Sequence, residues 1–157
     1  MADLTANKPR QFQGTPGRKV ALPVDANLRV FAGAALMKSA SNGCAALATP
    51  TASGQFYGFA TEEKDNRTGS PFGGTAGSTT VEVETEGLAW LTVANGSNWA
   101  RGDSGSTIYA SDSDTFTTSA GTNNIVIGKV VLVPEAVIGA ASGVVLVAFE
   151  ASAIRSI

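Results

Sequence analysis

Histidine is absent from the 157-residue chain. That removes the imidazole base of serine-type triads, the commonest general acid–base group and the commonest metal ligand. A single cysteine, Cys44, allows neither an internal disulfide nor a thiolate zinc cage. Charge is scarce: Asp, Glu, Lys and Arg make up 15% of the residues, against about 25% in an average soluble domain. A surface so poor in charge is expected to be covered in part by other subunits. The longest apolar stretch, around 143–149, falls far short of the roughly 20 residues that span a bilayer. Met1 is followed by Ala2 and Asp3 rather than a basic-then-apolar leader, so no secretory signal is expected. The net charge of −2 gives no global footprint for nucleic acid. The expectation is a protein with no cofactor, no metal, no nucleic-acid partner and no membrane.

What is present is punctuation. Eighteen glycines and six prolines break the chain into short segments that suit strands and turns rather than long helices. Charge is also unevenly placed. Residues 1–19 hold Lys8, Arg10, Arg18 and Lys19 against Asp3 alone, a net +3, while the remaining seven cations and twelve carboxylates give the body −5. That first segment includes Gly14, Pro16 and Gly17 and shows neither helical nor strand periodicity. It reads as an extended basic arm, with Phe12 and Leu4 as apolar anchors. The arm is expected to be mobile in the free protein and to lie along a neighbouring subunit in an assembly.

The body, 20–157, reads as about nine short strands, hence an all-β barrel or sandwich. Val20–Val24 contains Pro23, which cannot donate to a central ladder and marks an edge. Asn42-Gly43 is a hairpin signal joining strands that end near Lys38 and start at Cys44. Phe56–Thr61 is a further strand. The 62–78 stretch, charged at its start and glycine-rich at 69–78, reads as a long contact loop. From Thr79 to Ala94, Val81 and Val83 alternate with Glu82, Glu84 and Glu86, so the glutamates recur about 7 Å apart on one outward face. They are candidates for meeting basic arms. Gly87 is the expected bend. Trp90 either turns inward there or lies on the outer face as an interface residue. The run 125–133, nearly all apolar with one Lys129, reads as buried on both faces.

Several motifs tempt and fail. Gly102-Asp103-Ser104-Gly105 matches the nucleophile motif of chymotrypsin-like proteases, but no histidine exists to take the serine proton. Arg101-Gly102-Asp103 is the integrin-binding tripeptide, and Asp112-Ser113-Asp114 a fragment of a calcium loop without the remaining ligand spacing. Turns explain the first and third better, and in the absence of a secretory leader chance explains the second.

An ordered series of short motifs carries a resemblance: Ala32-Gly33-Ala34-Ala35-Leu36; Gly43; Tyr57-Gly58-Phe59-Ala60; Val81-Glu82-Val83-Glu84-Thr85-Glu86-Gly87; Gly102-Asp103 before Ile108-Tyr109; Ile127-Gly128-Lys129-Val130; and the apolar close 144–147. Over most of 20–150 the chain resembles the phage capsid cement, or head decoration, proteins once catalogued as a family of unknown function. It departs from them by its basic arm and its 69–78 loop. The resemblance implies a non-enzymatic β-barrel-like protein on the outer surface of an icosahedral virion, made in the host cytoplasm. Its implied partners are the major capsid protein and other copies of itself, as a homotrimer. The candidate contact residues are Lys8, Arg10, Phe12, Arg18, Lys19, Glu82, Glu84, Glu86 and Trp90. A carbohydrate-binding β-sandwich of a phage virion, stacking sugars on Trp90, Trp99 and Tyr57, is the alternative.

Overall fold

The computed structural model describes residues 3–13 and 18–155, and is almost entirely β. Residues 1–2 and 14–17 of the expected arm lie outside the described residues. The strands are β1 (Gln11–Phe12), β2 (Lys19–Pro23), β3 (Leu28–Val30), β4 (Ala35–Lys38), β5 (Ala45–Leu47), β6 (Phe56–Ala60), β7 (Lys64–Asn66), β8 (Thr80–Glu84), β9 (Glu86–Ala94), β10 (Thr107–Ala110), β11 (Phe116–Thr117), β12 (Ile125–Leu132) and β13 (Ser142–Glu150). A single turn of helix, α1 (Ser152–Arg155), follows. The strands outnumber the nine expected because several ladders are only two or three residues long.

Strands β9, β11, β10, β12 and β13 pair in that order, and β13 returns to β9 along nine residues, from Ser142↔Ala94 to Glu150↔Glu86. The ring is a closed five-stranded barrel, which leaves its own strands few free edges. Its interior holds Leu91, Val93, Ile108, Ile125, Ile127, Val145, Val147 and Phe149. Gly128 lets the wall close: a Cβ there would lie 1.8 Å from the carbonyl oxygen of Ala148. A second sheet, ordered β2-β8-β6-β4-β5, abuts the barrel. Pro23 sits on its edge strand, as expected, and the Asn42-Gly43 turn joins β4 to β5. Phe59 of β6 links the two sheets, with ring centroids 4.9 Å from Phe149 and 5.9 Å from Phe116, both edge-on. A smaller core under the second sheet gathers Val24, Val30, Leu36, Val81 and Val83.

Three expectations need correction here. The 62–78 stretch is not one loop, because Lys64–Asn66 pairs with Leu28–Val30. The break in 79–94 falls at Thr85 rather than Gly87, where the chain passes from the second sheet into the barrel. Parity survives that break, so Ala89, Leu91 and Val93 face inward and Trp90 stays on the outer side. Strand β12 is buried on one face only: Val126, Val131 and Leu132 are 39%, 46% and 48% exposed. A closed barrel has a single interior, and the outer side of β12 is left partly exposed at these three positions.

Candidate interaction surfaces

Residues 3–13 lie on the body of their own chain. The amide of Lys8 donates to the Ala32 carbonyl at 2.7 Å, and the amide of Ala32 donates to Asn7 Oδ1 at 2.9 Å. Asn7 Nδ2 donates to Glu63, whose carboxylate also takes Arg29. The Asp3 carboxylate accepts from the amide of Ser113, and the amide of Leu4 donates to Ser113 Oγ. Gly33 makes this path possible. It has φ +92°, and a Cβ on it would lie 1.7 Å from the Lys8 carbonyl oxygen.

Arg10 is the buried centre of the contact. Its side chain is 5% exposed, with Nε donating to the Gly33 carbonyl at 2.6 Å and Nη2 to Asp114 at 2.9 Å. The guanidinium carbon lies 5.1 Å from the Phe116 ring centroid and 5.5 Å from that of Phe59. Burial lowers the Arg10 pKa, and the Asp114 hydrogen bond and charge work against that shift. Lys8 shares the same carboxylate at 3.1 Å. Directly after Arg10, β1 pairs with β9, Gln11 opposite Trp90 and Phe12 opposite Ala89. The Phe12 ring lies 5.7 Å from Phe149 and packs against the main core.

The arm expected to move freely and dock on a neighbour is therefore laid, over residues 3–13, on its own barrel. A tethered segment meets its own groove at the high effective concentration that a short link confers, and a separate copy must compete with that. The charge complementarity read from the sequence is also met within one chain. Arg18 reaches Glu86 and Lys19 reaches Glu82, each at 3.4 Å. Glu82 also accepts from Thr61 Oγ1, and Thr61 and Lys19 together hold its carboxyl below the usual glutamate range.

The three glutamates do not share one exposed environment. Glu82 is exposed, Glu86 half-buried and Glu84 fully buried. Glu84 stands opposite Phe59 in the ladder, next to the rings that join the two sheets. At that seam both faces of the strand are covered, which alternation along one strand cannot show. Among the described residues no group of three or more Asp, Glu, Cys or His side chains is placed to hold a metal ion.

Trp90 is half-buried on the outer wall, its Nε1–H donating to Gln13 Oε1 at 3.1 Å. Trp99 is enclosed, its Nε1–H donating to the Val93 carbonyl at 3.2 Å. The Tyr57 hydroxyl donates to the Gly43 carbonyl at 2.7 Å. These three aromatics form no common platform.

The Arg101-Gly102-Asp103 tripeptide is a single 3-10 turn. Its arginine is held by Glu135, and its aspartate accepts from the Ala100 amide and Asn95. Ser104 is exposed.

The residues that sequence reasoning missed lie outside the barrel. Val131 and Leu132 on β12 and Val144 on β13 are all close to half exposed. Leu132 stands opposite Leu146, and Leu146 opposite Trp90, so one cross-strand row is apolar over three strands. Beside it is a cleft of about 340 Å³, walled by Val126, Lys129, Ala148 and Glu150 and including Gly128. The apolar run with one lysine was the visible signal, but it reads equally as a strand enclosed on both sides. No protein-family model matches the chain, and no curated protein matches it in sequence.

Proposed function

We propose that this protein is a non-enzymatic capsid decoration protein that binds the outside of an assembled icosahedral phage head and stabilises the junctions between capsomers, as homotrimers on that shell. The observation that carries the reading is the outer wall of the barrel. Val131, Leu132 and Val144, on adjacent strands, are left close to half exposed. A rigid wall with an apolar patch is suited to meeting another protein surface. The ordered series of β-and-glycine motifs supports the same reading. A protein that binds only the assembled shell stabilises it by mass action, and many copies multiply a modest local energy. No catalytic group is required.

The carbohydrate-binding alternative needs exposed rings. It has less support, because Trp99, one of the three rings it uses, is 1% exposed and Trp90 and Tyr57 are half-buried.

The test is the stability of filled heads with and without saturating protein. Decorated heads should withstand a higher temperature or lower divalent-cation concentration before releasing DNA. Identical release curves would overturn the reading.

A further inference from the structure

Asparagine precedes glycine twice in this chain, at Asn42-Gly43 and Asn95-Gly96. Glycine has no Cβ to shield its own amide nitrogen and keeps its backbone free to turn. That nitrogen can therefore attack the side-chain carbonyl carbon of the asparagine before it. The fold treats the two pairs differently. Gly43 lies in the turn between β4 and β5 at φ +75°, and its amide donates to the Ser39 carbonyl at 3.0 Å. The Asn42 side chain is held as well, Nδ2 donating to Asp25 at 2.8 Å and Oδ1 accepting from the Cys44 amide at 3.0 Å. An amide engaged with a carbonyl is not free to lose its proton and attack. Gly96, exposed just past β9, is the opposite case. Its amide donates to no acceptor among the described residues, and a Cβ on it would meet nothing within 4 Å. The Asn95 side chain beside it is polarised: Oδ1 accepts from the Ser97 amide at 3.2 Å and from Thr118 Oγ1 at 3.3 Å. Donors aimed at that oxygen stabilise the negative charge it gains when its carbon is attacked.

We propose that Asn95 is a site of self-modification, at which the folded chain slowly converts its own asparagine to aspartate and isoaspartate. The Gly96 nitrogen gives its proton to solvent and bonds to Asn95 Cγ. The Cγ–Nδ2 bond breaks, and the nitrogen leaves as ammonia with a proton taken from solvent. The cyclic imide that remains takes up one water. Opening at the side-chain carbonyl gives aspartate, and opening at the main-chain carbonyl gives isoaspartate, which carries an extra methylene in the backbone. Water is the only co-reactant, and no partner is needed, so the reaction is independent of shell binding. The product also changes the turn it sits in. Asn95 Nδ2 donates to Asp103 at 3.2 Å, and the same Asp103 oxygen takes the Ala100 amide at 2.8 Å. An aspartate at 95 sets a carboxylate against that oxygen where a donor had been, so a hydrogen bond becomes a repulsion between like charges. Isoaspartate lengthens the main chain in the same turn. Both products loosen the 95–103 segment in aged copies.

The test is peptide mapping by mass spectrometry of the full chain, aged folded in mildly alkaline buffer and, in parallel, unfolded in guanidinium chloride. In denaturant both pairs lose their surroundings and should convert at similar rates. In the folded chain Asn95 should convert to aspartate and isoaspartate together, while Asn42 stays intact over the same interval. Gly96→Ala, which the open space around Gly96 accepts, should abolish conversion at Asn95 over that interval. Thr118→Val, which removes one donor from Asn95 Oδ1, should slow conversion in the folded chain and leave the unfolded rate unchanged. The Ala100 amide should exchange hydrogen faster in the converted protein than in the fresh one. Asn95 intact in the folded chain, Asn42 converting there as fast as Asn95, a Thr118→Val chain that converts at the parent rate, or unchanged protection at Ala100 after conversion would each overturn the proposal.

Discussion

The carbonyl of Lys8 passes directly over Gly33, so close that a Cβ at position 33 would lie 1.7 Å from its oxygen. Gly33 is also at φ +92°, a conformation that L side chains rarely adopt. Gly33→Ala should therefore both strain the backbone, at about 1–3 kcal/mol, and push residues 7–10 off the body. Urea denaturation measures the first effect. Hydrogen exchange at the Lys8 amide, bonded to Ala32 in the parent, measures the second. Unchanged protection at Lys8 would show that the arm does not depend on this crossing.

Arg10 and Phe12 make the arm part of the barrel's stability. Arg10→Ala removes a buried donor set from Asp114 and the Gly33 carbonyl, and should cost about 1.5–3 kcal/mol. Phe12→Ala removes a half-buried ring from Phe149, and should cost about 1–2 kcal/mol, less than the loss of a fully buried ring. Deleting residues 1–13 should thus lower the urea midpoint clearly and expose Trp90, which pairs with Gln11 and bonds Gln13. A red shift in tryptophan emission reports that exposure. A truncated chain with an unchanged midpoint would restore the picture of a separable arm.

Acid should loosen the arm at one identifiable clasp. Arg29's hydrogen bond foremost, and then that of Asn7, hold the Glu63 carboxyl below the ordinary glutamate range. A group with a lowered folded pKa contributes its stability above its unfolded value, about 4.3. That contribution is lost as pH falls through the lower folded value. The Ala32 amide, held by Asn7 Oδ1, should therefore shift in NMR titrations with a midpoint below about 4.3. Asp65, held down to about 2 chiefly by Arg67, should titrate lower still. A Glu63 midpoint at or above the ordinary value would contradict the clasp.

Ser104→Ala should leave stability within about 0.5 kcal/mol and shell binding unchanged, because the hydroxyl is exposed and the chain has no imidazole to activate it. Loss of activity in a folded Ser104→Ala protein would reopen the enzymatic reading.

Alternation made much of the fold legible. Val81, Val83, Ala89, Leu91 and Val93 are all buried on the parity that the sequence shows, and the Asn42-Gly43 turn sits between the strands it was expected to join. Glu84 was not legible, because its burial arises where one strand leaves one sheet for another. Strand β7 was hidden because Lys64-Asp65-Asn66 has no apolar alternation and owes its pairing to Leu28–Val30. The anchors Arg10 and Phe12 were visible as an unusual pair in a terminal segment. Their binding site on the same chain was not, since it is built from Gly33, Phe59, Asp114 and Phe149, far away in sequence. The exposed wall of β12 was misjudged because aliphatic density alone does not separate a strand enclosed on both faces from one held for a partner.

Cosedimentation with the cognate phage head tests the central claim most directly. Purified chain is mixed in parallel with assembled, expanded shells and with unassembled capsid subunits. Saturable binding to the assembled shells at a fixed number of copies, with none to the loose subunits, is the predicted result. Absence of binding to the shells, or equal binding to loose subunits, would contradict it.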